Sequence, residues 1–275
     1  MFDSYNKVKL VSLLNDFYCV TKIKTVLYDS NFSVIAAVPF SESSFCTAMS
    51  ENIEARQMCA QCNTAAFYRC RQKMGTEIYH CHAGLVEAIS PIRIGDIIVG
   101  YIMFGQILEK EDDVKSIIEY ASRYIGSKAA DFIVDFIPRT KEEIRSSSKI
   151  MEALVCYMLM NKLIGEKQGS LIFEISKYIE QNPTADLSVG TLCSLFGISR
   201  NNLYSLSETY FGMPIAEYVR LKRLRIAELL LKKGEKVSSA AEKTGFYDYG
   251  YFGKIFKRYI GKTPMQVRKS DEINN

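Results

Sequence analysis

The sequence contains no uninterrupted apolar run of about eighteen residues, the length a membrane helix needs, so no membrane span is expected. The N-terminus lacks a basic segment followed by an apolar stretch and a cleavage site, which predicts a chain that is not exported and stays in the cytoplasm. Histidine is scarce: the chain has two, His80 and His82, and both flank Cys81. A second Cys-x-x-Cys motif is missing, so a zinc site could not be built from paired knuckles alone. What is present is a 275-residue chain with 48% apolar residues, enough for two domains that each bury a core. It also has eight cysteines. In a reducing compartment they point to metal binding, redox chemistry or burial before structural disulfides.

The formal net charge of +4 conceals an asymmetry. Residues 171–275 hold 16 Lys/Arg and 11 Asp/Glu, whereas residues 1–170 hold 19 and 20. The basic surplus lies in the C-terminal part, as expected for an anionic partner there. A solvated basic face would give the same count, so charge alone does not decide.

Along the first part, a helix is followed by two short β-branched strands, Thr25–Tyr28 and Ser33–Val38, split by the turn-like Asp29-Ser30-Asn31. Residues 46–75 read as helical. Ala88–Ile94 and Ile97–Phe104 read as a hairpin around Gly95-Asp96. Residues 111–137 return to helix. This predicts a mixed α/β domain with an antiparallel sheet. Thr140–Gly165 then reads as one long connecting helix. Ile144, Met151 and Met158 fall seven apart, with Leu154, Val155 and Leu159 beside them. The stripe could be the seam of a homodimer or part of the first domain's own core. Gly165 and Gly169 mark a linker.

From Leu171 onward every apolar pattern is helical, and a near-repeat occurs. Leu187-Ser-Val-Gly-Thr-Leu-Cys-Ser-Leu-Phe-Gly197 resembles Val237-Ser-Ser-Ala-Ala-Glu-Lys-Thr-Gly245. Each is a short helix ending at a glycine, then an apolar residue, a turn and a second helix. The apolar residues of the first second-helix are Leu203 and Leu206; those of the other are Phe252, Ile255 and Phe256. The two helix-turn-helix units lie about 48 residues apart. On the outward positions stand Arg200, Asn201, Asn202, Tyr204 and Ser205 in the first, and Tyr249, Gly250, Tyr251, Lys254, Lys257 and Arg258 in the second. Asn can contact adenine in bidentate fashion, and Lys254 could reach a base edge. Lys257, Arg258 and Lys262 suit phosphates, which position without specifying.

These residues resemble a known family. Gly245-Phe-Tyr-Asp-Tyr-Gly-Tyr-Phe-Gly-Lys-Ile-Phe-Lys-Arg-Tyr-Ile-Gly-Lys-Thr-Pro264, with Arg268, resembles the AraC/XylS DNA-binding domain. So do Leu192, Gly197-Ile-Ser, Leu203 and Gly212 in the first unit, and Tyr218, Arg223, Ala227 and Leu230 between the units. The resemblance covers residues 174–269. It implies seven helices in two units, joined by a long helix, with both recognition helices entering successive major-groove segments of promoter DNA. The base-reading candidates it implies are Asn201, Asn202, Ser205, Tyr249, Gly250 and Lys254. Two departures stand out: Ser207-Glu208-Thr209 where members often carry basic residues, and Gly250, which has no side chain to read a base.

In the first part, Cys46, Cys59, Cys62, Cys70 and Cys81 fall within 36 residues. Cys59-Ala-Gln-Cys62 has metal-knuckle spacing, so zinc or an iron–sulfur cluster is one expectation, with Cys46, Cys81 or His82 completing it. A redox pair is another. Small polarizable residues lining a core or pocket are the third. Phe45-Cys46, Met58-Cys-Ala-Gln-Cys62, Tyr79-His-Cys-His-Ala-Gly-Leu85, Pro91-Ile92, Gly100 and Gly105-Gln106 resemble the PocR sensory domain over roughly residues 5–165. That resemblance implies a PAS-like fold that senses a small effector such as a short diol, an alcohol or another hydrocarbon derivative, with Cys46, Cys59, Cys81 and Gln106 near the pocket.

The expected class is therefore α+β: a PAS-like sensor over 1–165, including a connecting helix over 140–165, then an all-α domain over 171–275 with two helix-turn-helix units. The expected function is that of a one-component transcription regulator rather than an enzyme. Its expected partners are double-stranded promoter DNA, a small-molecule effector, a second copy of the chain and, at the promoter, RNA polymerase. The alternative is a metal- or redox-responsive regulator sensing through Cys46–Cys81. A DNA-repair methyl acceptor is a further reading, because some proteins join such an acceptor to an AraC-like domain, but the domain order here is wrong for it.

Overall fold

A computed structural model describes residues 7–161, 163–164 and 171–272. The chain divides into two compact units, Met1–Lys167 and Gln168–Asn275. In the first, helix α1 (Lys7–Thr21) precedes strands β1 (Lys24–Asp29) and β2 (Val34–Val38). Helices α2 (Ser44–Glu51) and α3 (Ile53–Lys73) follow, then β3 (Glu77–His80), β4 (Val86–Ile94) and β5 (Ile97–Ile107). Helices α4 (Val114–Ile125), α5 (Lys128–Ile133) and α6 (Lys141–Met160) complete the unit. The five strands form one antiparallel sheet in the order β2-β1-β5-β4-β3. The mixed α/β class and the Gly95-Asp96 hairpin agree with the sequence reading. Strand β3 was not expected, because its four residues leave too short a pattern to recognise.

Local chemistry fixes the helix starts. Ser43 caps α2 by accepting from the Cys46 amide, and Asn52 ends α2 and caps α3 by accepting from the amides of Glu54 and Ala55. Helix α3 packs on the sheet face that carries Ile89, Tyr101 and Met103, through Ala66, Phe67 and Cys70. Arg71 pins it there: its Nε donates to Tyr101 Oη at 2.9 Å and its Nη2 to the Ser30 carbonyl at 3.1 Å.

Two expectations about the connecting helix are corrected. Thr140 and Glu143 form a reciprocal capping box at its start, as a helix from 140 requires, but α6 ends at Met160 instead of Gly165. Asn161 closes it, and the amide of Leu163 bonds back to the Met158 carbonyl at 2.8 Å, which tucks Leu163 and Ile164 inside. Gly165, Gly169 and the expected linker lie outside the described residues. The apolar stripe is not an open dimer seam either. Ile144, Met151, Val155 and Met158 are buried within the single chain, and α6 packs on β4. A seven-residue spacing serves a core-facing stripe as well as a coiled coil, and here the sheet supplies the partner surface.

The second unit is helical: α7 (Leu171–Gln181), α8 (Val189–Phe196), α9 (Arg200–Phe211), α10 (Ile215–Lys232), α11 (Val237–Glu242), α12 (Tyr249–Ile260) and α13 (Pro264–Glu272). Helix α10 is the spine. It touches α7, α9, α11, α12 and α13. Phe211 of α9 stacks on its Tyr218 at 3.6 Å between ring centres, and Ser176 of α7 meets the Tyr218 hydroxyl at 2.7 Å. On the other side Leu224, Ala227 and Leu231 pack with Phe246, Phe252 and Phe256.

Because Met151 is fully buried, Met151→Glu should act on stability, burying a charge with no partner and costing roughly 3 kcal/mol. Thermal denaturation of the variant should show the first unit's transition lowered and the second unit's unchanged. A variant that only dissociates, with the same melting temperature, would restore the seam.

Candidate ligand cavity and DNA-reading surface

The pairing of β4 with β5 shifts register twice, between Ile92 and Arg93 and between Val86 and Glu87, and the second shift shapes the site. Val86 pairs with Ile107 and Glu87 with Gly105, so Gln106 is an extra residue, a β-bulge. Gln106 has φ 62°, in the left-handed region a non-glycine residue rarely enters, at a cost of about 1–3 kcal/mol. Its side chain offsets part of that. Oε1 accepts from the Ser43 amide at 2.9 Å, and Nε2 donates to the Glu42 carboxylate. The bulge thus anchors the residue that caps α2, and α2 places Phe45, Cys46 and Met49.

Gly105, just before the bulge, leaves space that Glu87 uses. A β-carbon at 105 would lie 2.7 Å from Glu87 Cγ. A second glycine shapes the turn between β3 and β4. Gly84 has φ 90°, its amide donates to the Cys81 carbonyl at 3.0 Å, and a β-carbon there would strike Ile117 of α4. That tight turn is why Cys-His-Ala-Gly-Leu reads as one motif: it separates the directions of Cys81 and His82.

Between α2, α3 and the sheet lies a cavity of about 240 Å³. Phe45, Met49, Ala83 and Met103 give it apolar walls, and its polar members include Lys24, Tyr28, Glu42, Ser50, Asn63 and Glu87. Of the residues expected at the site, Cys46, Cys59, Cys81 and Gln106 line it. Cys62 and His82 do not. Cys59-Ala-Gln-Cys62 lies inside α3 instead of in a knuckle turn. His82 Nε2 sits 3.0 Å from Cys59 Sγ, and its Nδ1 3.2 Å from Tyr120 Oη. No further thiol or imidazole joins that pair into a three-ligand set among the described residues. The grouping that does form is His80 with Glu109 and Asp112, the imidazole Nε2 lying 3.2 Å from Asp112 Oδ1.

Burial pushes the Cys46 thiol up to about 12 and the Cys59 thiol up to about 11, with Glu87 adding to both. Cys81 is raised in the same way. Burial thus favours the protonated thiols, which are poor nucleophiles. Glu87, which the sequence reading missed, is itself raised from the usual 4.5 to about 7 by burial, with Glu42 adding to it against the hydrogen bond from Tyr79. Tyr79 Oη donates to Glu87 Oε2 at 2.7 Å.

In the second unit, Gly197 and Gly245 both adopt positive φ, 63° and 75°, at the turns that link α8 to α9 and α11 to α12. Ser199 caps α9 and Asp248 caps α12. At Gly245 a β-carbon would also meet the Pro183 carbonyl at 2.9 Å. Leu203, Phe252, Ile255 and Phe256 face inward. Arg200, Asn201, Asn202, Tyr204 and Ser205 are exposed on α9, and Tyr249, Gly250, Tyr251, Lys254, Lys257 and Arg258 on α12, with Lys262 just beyond. Tyr247, exposed in the second turn, was overlooked. The Tyr249 hydroxyl is held by Glu242. Ser207 is fully buried and donates to the Met213 carbonyl at 2.6 Å, so its position never faced a ligand.

Two helix-turn-helix units on one helical spine, carried in the same chain as a cavity-bearing α/β unit, define a transcription regulator of the AraC type. The chain belongs to the family of the sensory domain found in PocR, whose model matches residues 3–164; a helix-turn-helix domain model matches residues 192–270. Among similar proteins, the regulatory protein PocR of Salmonella typhimurium is 20% identical over 98% of this chain and 96% of its own length. The transcriptional activator AarP of Providencia stuartii is 34% identical over 38% of this chain and 78% of its own. Among solved structures, the C-terminal domain of the response regulator yesN from Fusobacterium nucleatum is 33% identical, covers 34% of this chain and 93% of its own, and has a TM-score of 0.32. The DNA-binding domain of AdpA in complex with a target DNA is 18% identical, covers 39% and 97%, and has a TM-score of 0.36. Among the described residues no helix is long and apolar enough to cross a membrane.

The raised Glu87 makes a stability prediction. A carboxyl that holds its proton more tightly when folded contributes stability fully present below the unfolded value, near 4.5, and lost as pH rises through about 7. Urea titrations should show the first unit weakening across that window, and Glu87→Gln should flatten the slope. Parallel slopes in both proteins would mean that Glu87 titrates normally.

Proposed function

We propose that this protein is a one-component regulator in which a small organic effector occupies the cavity of the first unit and controls promoter binding by the second. The observation that carries the reading is the cavity itself. It is largely apolar, closed by a strained bulge, and lined by Cys46, Cys59, Cys81 and Gln106. Sites with apolar walls and a few convergent polar groups are the usual form of a small-molecule pocket. A short alcohol, diol or related hydrocarbon derivative matches its size. RNA polymerase contact and homodimerisation belong to the same reading and find their support in the class of protein.

On DNA, Asn201, Asn202, Ser205, Tyr249, Gly250 and Lys254 would face base edges, Gly250 through close backbone approach. Arg200, Tyr204, Tyr251, Lys257, Arg258 and Lys262 would hold the backbone. The support is their shared exposure on the second helix of each unit or just past it.

A metal- or redox-responsive reading draws on the 3.0 Å contact between Cys59 and His82. The donor set fits a bound zinc or iron–sulfur cluster poorly, since no third ligand converges on that pair among the described residues. Elemental analysis of anaerobically purified protein should find no stoichiometric zinc or iron; near-stoichiometric metal would reverse the order of the two readings.

For DNA, a site should first be selected from random duplexes by the full chain. Lys254→Ala should then cost about 1–3 kcal/mol and relax preference at one or two base pairs, measured by fluorescence anisotropy. Lys257→Ala should weaken all sequences alike and reduce the salt slope by about one. Unchanged affinity and salt slope in both variants would remove α12 from the interface. For the effector, filling the cavity with Ala83→Phe should abolish the response of operator affinity to effector. A variant that still responds would place the effector elsewhere.

A further inference from the structure

We propose that the cavity is built for a short-chain organic ammonium ion, with Glu87 as the residue that anchors it. The proposal rests on the reading of the cavity as the effector site and specifies the chemistry of what enters.

Lys24 is spent: its Nζ donates to the carbonyls of Pro39 and Ser41 at 3.1 and 2.9 Å and pairs with Glu42 at 3.0 Å. Glu42 is spent in turn, between Lys24 and the Gln106 amide. That trio is neutral overall and closes on itself. Glu87 is different. Its Oε2 accepts from Tyr79, its Oε1 has no hydrogen-bond partner among the described residues, and no lysine, arginine or histidine pairs with it. Of the other polar groups, the Tyr28 hydroxyl is directed at Met103 Sδ, Ser50 Oγ donates to the Thr47 carbonyl at 2.7 Å, and Asn63 Oδ1 meets the Tyr79 hydroxyl at 3.2 Å. Glu87 Oε1 is therefore an acceptor on the cavity wall that no cation of the chain matches.

A buried carboxylate lacking a cation keeps a proton or takes a cation from elsewhere. The groups facing Glu87 supply no free cation: Tyr28 and Lys24 come from β1, Glu42 from the segment before α2, Cys46 from α2, Cys59 from α3, and Tyr79 and Cys81 from β3 and the turn after it. Among these, Lys24 is the sole cation and is held by Glu42. An ammonium head could donate to Glu87 Oε1 and Asn63 Oδ1, with its short alkyl tail against Phe45, Met49 and Met103. The register supports a built feature: Gly105 stands opposite Glu87 and leaves the space its side chain occupies.

Cation binding would expel the proton that Glu87 otherwise holds. Affinity should therefore rise with pH through about 7, by roughly tenfold between pH 6 and pH 8. The test is isothermal titration of the full chain with n-propylammonium chloride and with 1-propanol, its neutral isostere, at both pH values. Wild type, Glu87→Gln and Glu87→Asp are compared, with circular dichroism as the folding control. The expected result is tighter propylammonium binding at pH 8, proton release at pH 6 revealed by buffers of different ionisation enthalpy, at least tenfold loss in Glu87→Gln, and partial retention in Glu87→Asp. Three results would overturn the inference: 1-propanol binding as tightly as propylammonium with no pH dependence, propylammonium binding equally to Glu87→Gln, or no binding of propylammonium at all. Propanol binding would leave the effector reading intact while removing the cation. Propylammonium that binds through Glu87 but leaves operator affinity unchanged would do the reverse, keeping the anchor and removing the control of DNA.

Discussion

The extra residue at position 106 of β5 is the constraint on which the sensor unit turns. A regular ladder between β4 and β5 would leave no unpaired residue at 106 and would put the Gln106 side chain on a fixed face of the sheet. The bulge instead forces Gln106 into the left-handed region and frees its amide to grip Ser43 and Glu42. Ser43 then caps α2, Glu42 holds Lys24, and the apolar side chains of α2 close the cavity. A local backbone cost of about 1–3 kcal/mol is offset by hydrogen bonds that are themselves worth about 1 kcal/mol each. The strain therefore persists only while those partners stay in place, and it sits at the edge of the cavity where a ligand would touch it.

The second unit solves a different problem with the same economy. Each recognition helix must end up exposed on one side and locked on the other. Positive-φ glycines at 197 and 245 let the chain turn tightly before each one, and Ser199 and Asp248 satisfy the first amides after the turn. Burial of Leu203, and of Phe252 with Phe256, then fixes the rotation of each helix about its own axis. The rotation decides which side chains are left outside: mostly uncharged hydrogen-bonding groups with Arg200 and Glu208 on α9, tyrosines and cations on α12. The two helices therefore differ in chemistry although they are built alike.

The reach of the sequence was uneven for physical reasons. The helix-turn-helix pairs were legible because glycine, cap and apolar residue recur at fixed offsets, and each has one conformational meaning. The stripe at Ile144, Met151 and Met158 was legible as buried but not as to what buried it, since a helix shows the same face to a sheet and to a twin. Cys59 and Cys62 suggested a knuckle because spacing alone does not say whether the residues between them turn; three apart on a helix, they share a face without converging on an ion. Glu87 was missed because its meaning depends on register. Beside an apolar strand it reads as a solvent-facing end, and only the pairing with Gly105 turns it inward.

That same strand links the cavity to the last helix of the sensor unit. Glu87 and Ser90 are three apart on β4, so their side chains leave opposite faces of the sheet. Glu87 lines the cavity, while Ser90 Oγ lies 2.7 Å from Thr76 Oγ1, which in turn donates to Glu152 of α6 at 2.6 Å. The central strands are among the best buried elements of the unit, and close packing of this kind transmits strain more readily than a loop does. Helix α6 is held to the sheet by this polar chain and by its apolar stripe. Adjacency of this kind supplies a route and no more. Coupling also requires that an occupant bind one arrangement of β4 more tightly than another, since a ligand indifferent to the two shifts nothing. Glu87 is the group on that strand at which an occupant of the cavity could make such a difference, since it stands on the cavity wall with no cation of the chain beside it.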